Sequence, residues 1–277
     1  MKFYMDRFVS MKDYYNSEMN MLKEKIQNNV IHPSLAIVQV GDFEDSNSYV
    51  KYKLKDAKKL GIQTTMIKYT DIDKSILINQ INLLNKSVSG IIIQLPLPNN
   101  LDIGELQNYI DPSRDVDGFR SDSKYSACTP KGVIDWLKHN MIELNKVHVV
   151  VIGRGKCSGK PMAEMLMKEN ATVTCCHSYT SREQLKTLCN DADIVISCVG
   201  KDGIITEDMI SDNTICIDIG RGDFDFESNE DRDIFVSPVI GGTGLLTRLA
   251  LMQNVVESEL NNCNDCYDEE DWNILDY

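Results

Sequence analysis

The chain of 277 residues has few basic residues, no long apolar run and no complete set of zinc ligands. Its 29 Lys and Arg residues against 42 Asp and Glu residues give a net charge of -13, which disfavours binding to nucleic acid or to an anionic membrane. No apolar stretch approaches the ~18 residues of a membrane span. Acidic residues come too early in the sequence for a secretory signal, so we expect a cytoplasmic protein.

Nine cysteines are an odd number in a chain without a signal peptide, and this favours reduced thiols over a disulfide framework. Cys263 and Cys266 form the one CxxC pair, and no second pair or nearby histidine completes a zinc site. We therefore expect no metal. The segment 261–277 is strongly acidic and is predicted to form a tail.

Apolar segments alternate with helical ones along most of the chain. Strands are predicted at 35–41, 64–70, 90–96, 147–153, 171–177, 193–199 and 214–220, and helices at 45–60, 73–86, 131–140 and 160–169. Each strand is apolar nearly throughout, which is typical of a parallel strand covered on both faces. The order predicts an α/β protein.

Two such blocks are separated by a connector rich in Asp, Ser and Pro. The sequence therefore predicts two α/β domains flanking a cleft, the second a Rossmann-like doubly wound parallel sheet. A cleft of this kind is a common ligand site. The predicted parts are 1–120, 121–242, a helix at about 243–260 that packs back on the first domain, and the tail 261–277.

The second block opens with VVVIGRGKCSGKP (149–161), a strand followed by a glycine turn and a helix with Pro161 near its first turn. Gly153, Gly155 and Gly159 suit a tight turn, close approach of the backbone to a phosphate and a helix N-terminus that attracts an anion. A plain tight turn is the alternative. The position between a strand and a helix favours a dinucleotide site.

The following strand ends in CHSYT (176–180), without the acid that would hold the ribose hydroxyl of NAD. Arg154 lies inside the glycine turn, where its guanidinium can bind a ribose 2'-phosphate. Both observations favour NADP over NAD. A histidine that closes a strand, such as His177, is more often a structural hydrogen-bonding group, so we assign it no chemical role.

The stretch SYVKYKLK (48–55) belongs to the predicted helix 45–60, with Asp45 or Ser46 as its cap and Gly61 at its end. At about 100° per residue, four of its lysines gather on one solvated face: Lys51, Lys55, Lys58 and Lys59. Lys53 instead falls inside the apolar arc, on the stripe that holds Ser46 and Tyr49. Burial disfavours a charged amine and suits it to act as a general base. A lysine that snorkels from the edge of a packed face is the alternative.

Four stretches carry a family resemblance: SNSYVKYKLKDAKKLGI, GIIIQLPLP, RDVDGF followed by CTPKG, and VVVIGRGKCSGKPM with ATVTCCHSYT. In order and spacing they resemble the bifunctional methylenetetrahydrofolate dehydrogenase/methenyltetrahydrofolate cyclohydrolase family. The resemblance covers roughly residues 35–257. It implies NADP-dependent oxidation of 5,10-methylenetetrahydrofolate, hydrolysis of the 5,10-methenyl product to 10-formyltetrahydrofolate, and a homodimer.

The resemblance also implies roles for individual residues. Lys53 matches the cyclohydrolase and proton-transfer lysine, Gln94 its contact, and Asp117 a hydrogen-bonding partner of the pterin ring. Tyr49 completes the implied catalytic set. The implied cofactor-binding residues are Gly153, Arg154, Gly155, Gly159, Lys160, Pro161, His177, Ser178, Cys198, Val199 and Gly200, with Arg154 and Ser178 at the 2'-phosphate. The implied substrate-binding residues are Tyr49, Lys53, Gln94, Leu95, Asp117, Ile240, Gly241 and Gly242.

Other readings remain open at this point. From the residues alone, Gln94 also fits a turn-capping amide and Asp117 an Asx turn. The family's VPGGVGPMT loop appears here as VIGGTGLLT (239–247), without either internal proline, and such a loop is expected to be less rigid. The alternatives are therefore a monofunctional methylenetetrahydrofolate dehydrogenase, or a folate- or nucleotide-binding protein without turnover.

Overall fold

The computed structural model describes residues 8–270, apart from the side chains of Asp45 and of residues 264–270. The chain divides into two compact units. The three-stranded unit comprises Ser17–Ser126 and the residues from Arg248 onward, and the five-stranded unit comprises the residues up to Asn16 and Ala127–Thr247. None of the described helices is long and apolar enough to cross a membrane.

The three-stranded unit alternates strands with helices. Its elements in chain order are α1 (Met11–Asn28, which begins in the other unit), β1 (Ser34–Val40), α2 (Glu44–Leu60), β2 (Gln63–Tyr69), α3 (Lys74–Leu84), β3 (Gly90–Gln94) and the short α4 (Ile103–Leu106). The strands are parallel in the order β2-β1-β3. Because Gln39 of β1 pairs in register with Gln94 of β3, two buried amides lie side by side at the carboxyl end of the sheet.

The five-stranded unit also alternates strands with helices along most of its length. Its elements are α5 (Cys128–His139), β4 (His148–Ile152), α6 (Gly159–Lys168), β5 (Thr172–Cys176), α7 (Arg182–Asn190), β6 (Ile194–Ser197), β7 (Ile215–Asp218) and β8 (Phe235–Val236). All five strands are parallel, in the order β5-β4-β6-β7-β8. The order reverses next to β4, and the carboxyl end of such a switch point is where open α/β sheets bind ligands.

The predicted α/β class is confirmed, and all seven predicted strands are present with ends shifted by one or two residues. The expectation that every strand is covered on both faces is wrong for β2 and β5. Both are edge strands, and most of their side chains are exposed or half-buried. The helices α1 and α7 and the short strand β8 were not assigned from the sequence.

The last helix, α8 (Thr243–Glu270), begins in the five-stranded unit and continues in the three-stranded unit. In the latter, the Asn254 amide donates to the carbonyl oxygens of Val116 and Ser126 at 2.9 and 3.0 Å. One turn further on, the Ser258 hydroxyl donates to the carbonyl oxygens of Ser89 and Ser113. These bonds tie the loops around β3 to one helix. The predicted boundaries 1–120, 121–242 and 243–260 stay predictions of domain organisation.

Candidate active site

Lys53 lies on the buried side of α2. Lys53 is only 6% exposed, whereas all four lysines assigned to the solvated face are exposed. The helical-angle prediction is therefore confirmed. Gly61 ends the helix as predicted, with φ 76° in the left-handed region. The predicted cap is wrong, because α2 begins at Glu44 after Phe43, which places Ser46 inside the helix.

A chain of hydrogen bonds fixes the direction of the Gln94 amide. The amide nitrogen donates to the Leu95 carbonyl oxygen at 2.7 Å, and the Ser46 hydroxyl donates to the same oxygen at 2.7 Å. The amide oxygen therefore faces the Lys53 amine, which donates to it at 3.1 Å. Gln94 is itself 7% exposed. Tyr49, one turn before Lys53 on α2, is half-buried.

Asp117 lies in a segment that runs parallel to the start of β3. Ile91 bridges to Asp115, and its N–H donates to the Arg114 carbonyl oxygen at 2.8 Å. Two residues beyond Asp115, the buried Asp117 lies towards the end of the strand that carries Gln94. Burial raises the pKa of the Asp115 carboxyl, and the charge of Asp117 raises it further. The hydrogen bond from the Arg120 N–H acts in the opposite direction and lowers this pKa.

An open cavity of about 530 Å³ lies beside the Gln94 network in the three-stranded unit. Leu95, implied as a substrate contact, forms part of its wall, and its side chain is half-buried. The wall is mostly apolar, which suits the flat rings of an organic ligand. Its lining residues are Leu95, Pro96, Leu97, Leu101, Asp102 and Ile103.

The glycine turn in the five-stranded unit has the shape that a phosphate group needs. Gly153 has φ 103°, and a Cβ at Gly159 would lie 2.2 Å from the Gly153 carbonyl oxygen, so both positions require glycine. A Cβ at Gly155 would meet nothing within 4 Å among the described residues. The backbone there is open to a ligand at the N-terminus of α6, where Lys160 and Pro161 form the first turn.

Arg154 and the turn after β5 come together. The Arg154 guanidinium carbon lies 6.0 Å from the ring centroid of Tyr179. The His177 N–H donates to the Thr180 hydroxyl, and its ring nitrogen Nδ1 accepts from the Tyr179 N–H at 3.3 Å. His177 thus has the structural role expected of it, and Ser178 between them is exposed. An anion at this place would meet a guanidinium and a hydroxyl.

The loop after β6 is held by a carboxylate that the sequence analysis missed. Asp223 is fully buried and accepts hydrogen bonds from the Ser197 hydroxyl at 2.5 Å, the Val199 N–H at 2.9 Å and the Lys201 N–H at 2.7 Å. The Cys198 carbonyl oxygen is 3.0 Å from where a Gly153 Cβ would be. Of the predicted cofactor residues Cys198, Val199 and Gly200, Cys198 therefore borders the glycine turn. The sequence analysis missed Asp223 because it follows β7 in the chain, and residue spacing does not show that its carboxylate bonds to the loop after β6.

The segment 239–247 lies within the five-stranded unit, and the prediction of a loop is wrong for its second half, because residues from Thr243 onward form the start of α8. Ile240 is 93% exposed, Gly241 has φ 81°, and a Cβ at Gly242 would lie 1.8 Å from the Pro238 carbonyl oxygen. The Thr243 hydroxyl donates to the Asp218 carbonyl oxygen at 2.9 Å and anchors the end of the loop. The two glycines are thus needed for the backbone path even without the prolines.

No group of three or more His, Cys, Asp or Glu side chains could hold a metal ion within the part of the chain that the structure describes. Cys263 lies half-buried on α8, and the side chain of its CxxC partner Cys266 lies outside the described residues.

Two parallel α/β units, one with a glycine turn at a switch point and the other with a buried lysine and amide at the carboxyl end of its sheet, define a nucleotide-dependent enzyme of the Rossmann class. The tetrahydrofolate dehydrogenase/cyclohydrolase catalytic domain matches residues 10–117, and the NAD(P)-binding domain of the same family matches residues 127–263. The chain belongs to the tetrahydrofolate dehydrogenase/cyclohydrolase family.

Relatives of known name cover nearly the whole chain. The bifunctional protein FolD of Caldicellulosiruptor saccharolyticus is 40% identical over 276 residues, with 90% of this chain and 96% of the relative covered. The crystal structure of bifunctional FolD from Campylobacter jejuni is 32% identical, with a TM-score of 0.84 and coverage of 91% and 98%. A 5,10-methylenetetrahydrofolate dehydrogenase from Bombyx mori is 30% identical, with a TM-score of 0.85 and coverage of 93% and 99%.

Proposed function

We propose that this protein oxidises 5,10-methylenetetrahydrofolate with NADP and hydrolyses the 5,10-methenyl product to 10-formyltetrahydrofolate. The observation that carries the proposal is the buried Lys53 amine, which is oriented by Gln94. An amine held in place by one hydrogen bond is positioned for proton transfer with water. Membership of the family and the NAD(P)-binding domain support the same reaction pair.

Hydride transfer needs positioning more than acid or base chemistry. The residues around the glycine turn fit a dinucleotide phosphate, because Gly153 and Gly159 have no room for a side chain and Gly155 leaves its backbone accessible. NADP supplies the hydride acceptor when it is bound. Arg154 and Ser178 would hold the 2'-phosphate, and Cys198, Val199 and Gly200 would bind another part of the dinucleotide.

Hydrolysis needs a base for the water that attacks the methenyl carbon. Lys53 takes the proton, Gln94 holds the amine by its oxygen, and Tyr49 lines the approach from the preceding turn of α2. Asp117 binds the polar edge of the pterin ring. Leu95 contacts the remainder of the folate.

The main test replaces Lys53 and compares it with a lysine two residues away. Lys53→Ala is expected to abolish hydrolysis of methenyltetrahydrofolate, a loss of at least about a hundredfold, since general base catalysis contributes that much. The exposed Lys55→Ala is the matched control and keeps full activity. Hydrolysis by Lys53→Ala at the wild-type rate would refute the role of Lys53. Wild-type hydride transfer without hydrolysis would identify a monofunctional dehydrogenase, and binding without either activity a protein without turnover.

Cofactor choice has its own test. Arg154→Ala is expected to weaken NADP binding about tenfold or more and NAD binding little, because a charge-assisted contact to the 2'-phosphate is lost. Lys168→Ala, an exposed cation at the other end of α6, serves as the control in the same titrations. Equal losses for both dinucleotides would contradict a 2'-phosphate contact.

We also infer that the protein is a cytoplasmic homodimer that binds neither nucleic acid nor membrane. The net charge of -13 and the free thiols of the described cysteines support this. The edge strand β2 has exposed backbone and side chains that a second copy could cover. Sedimentation equilibrium that gave a monomer at micromolar concentration would contradict the dimer.

A further inference from the structure

A second ionisable residue is buried next to Lys53 on α2. Asp56 is 2% exposed and lies three positions after Lys53 on the same helix. Side chains at this spacing are neighbours, with about 5–6 Å between their Cβ atoms. An ammonium and a carboxylate so placed, away from water, attract each other strongly. The default partner of the Lys53 amine would therefore be Asp56.

The structure shows a different pairing. Nε of Arg248 lies 2.8 Å from Oδ2 of Asp56, a charge contact rather than a linear hydrogen bond, and both side chains are largely buried. The guanidinium carbon also lies 4.9 Å from the ring centroid of Tyr52, over its face. Two contacts on α2 thus hold the Arg248 side chain. Meanwhile the Lys53 amine donates to Gln94, a neutral acceptor.

We propose that Arg248 is a positioning residue for the hydrolytic step, because it neutralises Asp56 and so leaves the Lys53 amine to Gln94. This rests on the proposed function of Lys53. A buried carboxylate cannot stay unpaired at low cost. Without the permanent cation of Arg248, Asp56 draws the Lys53 amine away from Gln94 and stabilises its ammonium form, which cannot accept a proton from water.

Substitutions of Arg248 and Asp56 are expected to have unequal effects on hydrolysis. Arg248→Met leaves the carboxylate and removes the guanidinium 2.8 Å from it, so hydrolysis is slowed. Asp56→Asn removes the competing charge itself, so the Lys53 amine stays on Gln94. The double variant Arg248→Met/Asp56→Asn has neither charge, and hydrolysis recovers. A pair that served stability alone would be harmed from either side.

The experiment measures both rates in one preparation of each full-length variant, at a temperature well below its unfolding midpoint. The readout is the ratio of kcat for methenyltetrahydrofolate hydrolysis to kcat for hydride transfer. Arg248→Met is expected to lower this ratio by about tenfold or more, since the general base is engaged elsewhere. The double variant restores it to within about threefold. Lys74→Met, which breaks an exposed ion pair with Glu105 in the same unit, leaves the ratio unchanged.

Two results would overturn the inference: an Arg248→Met ratio equal to wild type, or a double variant that stays as low as Arg248→Met. Competitive acetylation with acetic anhydride, read by mass spectrometry, gives a second readout that needs no turnover. Lys53 in Arg248→Met is expected to react several-fold more slowly, relative to Lys55, than in wild type, because ion pairing protects the amine. If the wild-type protein did not hydrolyse methenyltetrahydrofolate, the proposed function would be refuted. The acetylation rates would still show whether the Lys53 amine moves to Asp56 when Arg248 is replaced.

Discussion

The Lys53 site and the glycine turn both follow the carboxyl ends of parallel strands, but they are built from different parts of the chain. At the Lys53 site, buried side chains are hydrogen-bonded, and the proposed chemistry is done by the side-chain amine and amide. At the glycine turn, the positions with no room for a Cβ are occupied by glycine, and the proposed ligand contacts are made by backbone N–H groups. Substitutions at the first site should therefore change a rate, and those at the second should change affinity and stability.

The largest contrast concerns chemical reactivity, because the loop after β6 contains a half-buried thiol, Cys198, that should be inert. Burial raises the pKa of Cys198 to about 12, and the nearby charge of Asp223 adds to it. At pH 8 only about one thiol in ten thousand is then ionised. Iodoacetamide should modify the exposed Cys175 at least about a hundredfold faster than Cys198, as followed by peptide mass spectrometry.

The pH dependence of this labelling sharpens the test. Since the thiolate is the reactive form, alkylation of Cys198 should rise about tenfold for each pH unit up to about pH 12. Similar labelling rates for Cys198 and Cys175 at pH 8 would mean that the loop after β6 opens to solvent, and the contrast between the two sites would be lost.

A smaller effect is expected from the amide that orients the lysine. Gln94→Leu removes the acceptor of the Lys53 amine and should slow methenyl hydrolysis by about tenfold, with nucleotide affinity unchanged. Gln63→Leu, an exposed glutamine at the start of β2, is the control for the change of residue type. A normal hydrolysis rate in Gln94→Leu, measured by the loss of methenyl absorbance, would remove Gln94 from the mechanism.

The smallest effect separates two glycines of one turn. Gly159→Ala should lower the free energy of unfolding by about 1–3 kcal/mol, because its Cβ would overlap the Gly153 carbonyl oxygen. Gly155→Ala should leave stability nearly unchanged but weaken dinucleotide binding, since only a ligand approaches that backbone. Urea denaturation and fluorescence titration measure the two quantities. Equal destabilisation by both variants would contradict this division of roles.

Much of the fold and the Lys53 site could be predicted from local pattern. Apolar runs located all seven predicted strands, and the 100° helical step separated Lys53 from its four exposed neighbours. The helix cap failed, because Ser46 bonds to the Leu95 carbonyl oxygen instead of the start of its own helix. The capping preference of serine was outweighed here by a tertiary hydrogen bond.

The partners that come from distant parts of the chain could not be predicted. The sequence analysis assigned no role to Asp56, which is buried and forms an ion pair with Arg248 of α8. Asp223 likewise bonds to a loop that begins at Ser197, one strand away. Neither pair leaves a periodic signal, because the match depends on how the elements pack and not on the spacing of residues within one element.

The hydrogen bonds of α8 have a consequence for how the protein is made. Lys53, Gln94 and Asp117 are synthesised before α8, and the carbonyl oxygens of Val116 and Ser126 receive a donor from Asn254 only after α8 has followed. A chain that stops before α8 can therefore contain every proposed catalytic residue and still lack the contacts that α8 makes with the three-stranded unit, so the proposed hydrolytic activity depends on synthesis of α8.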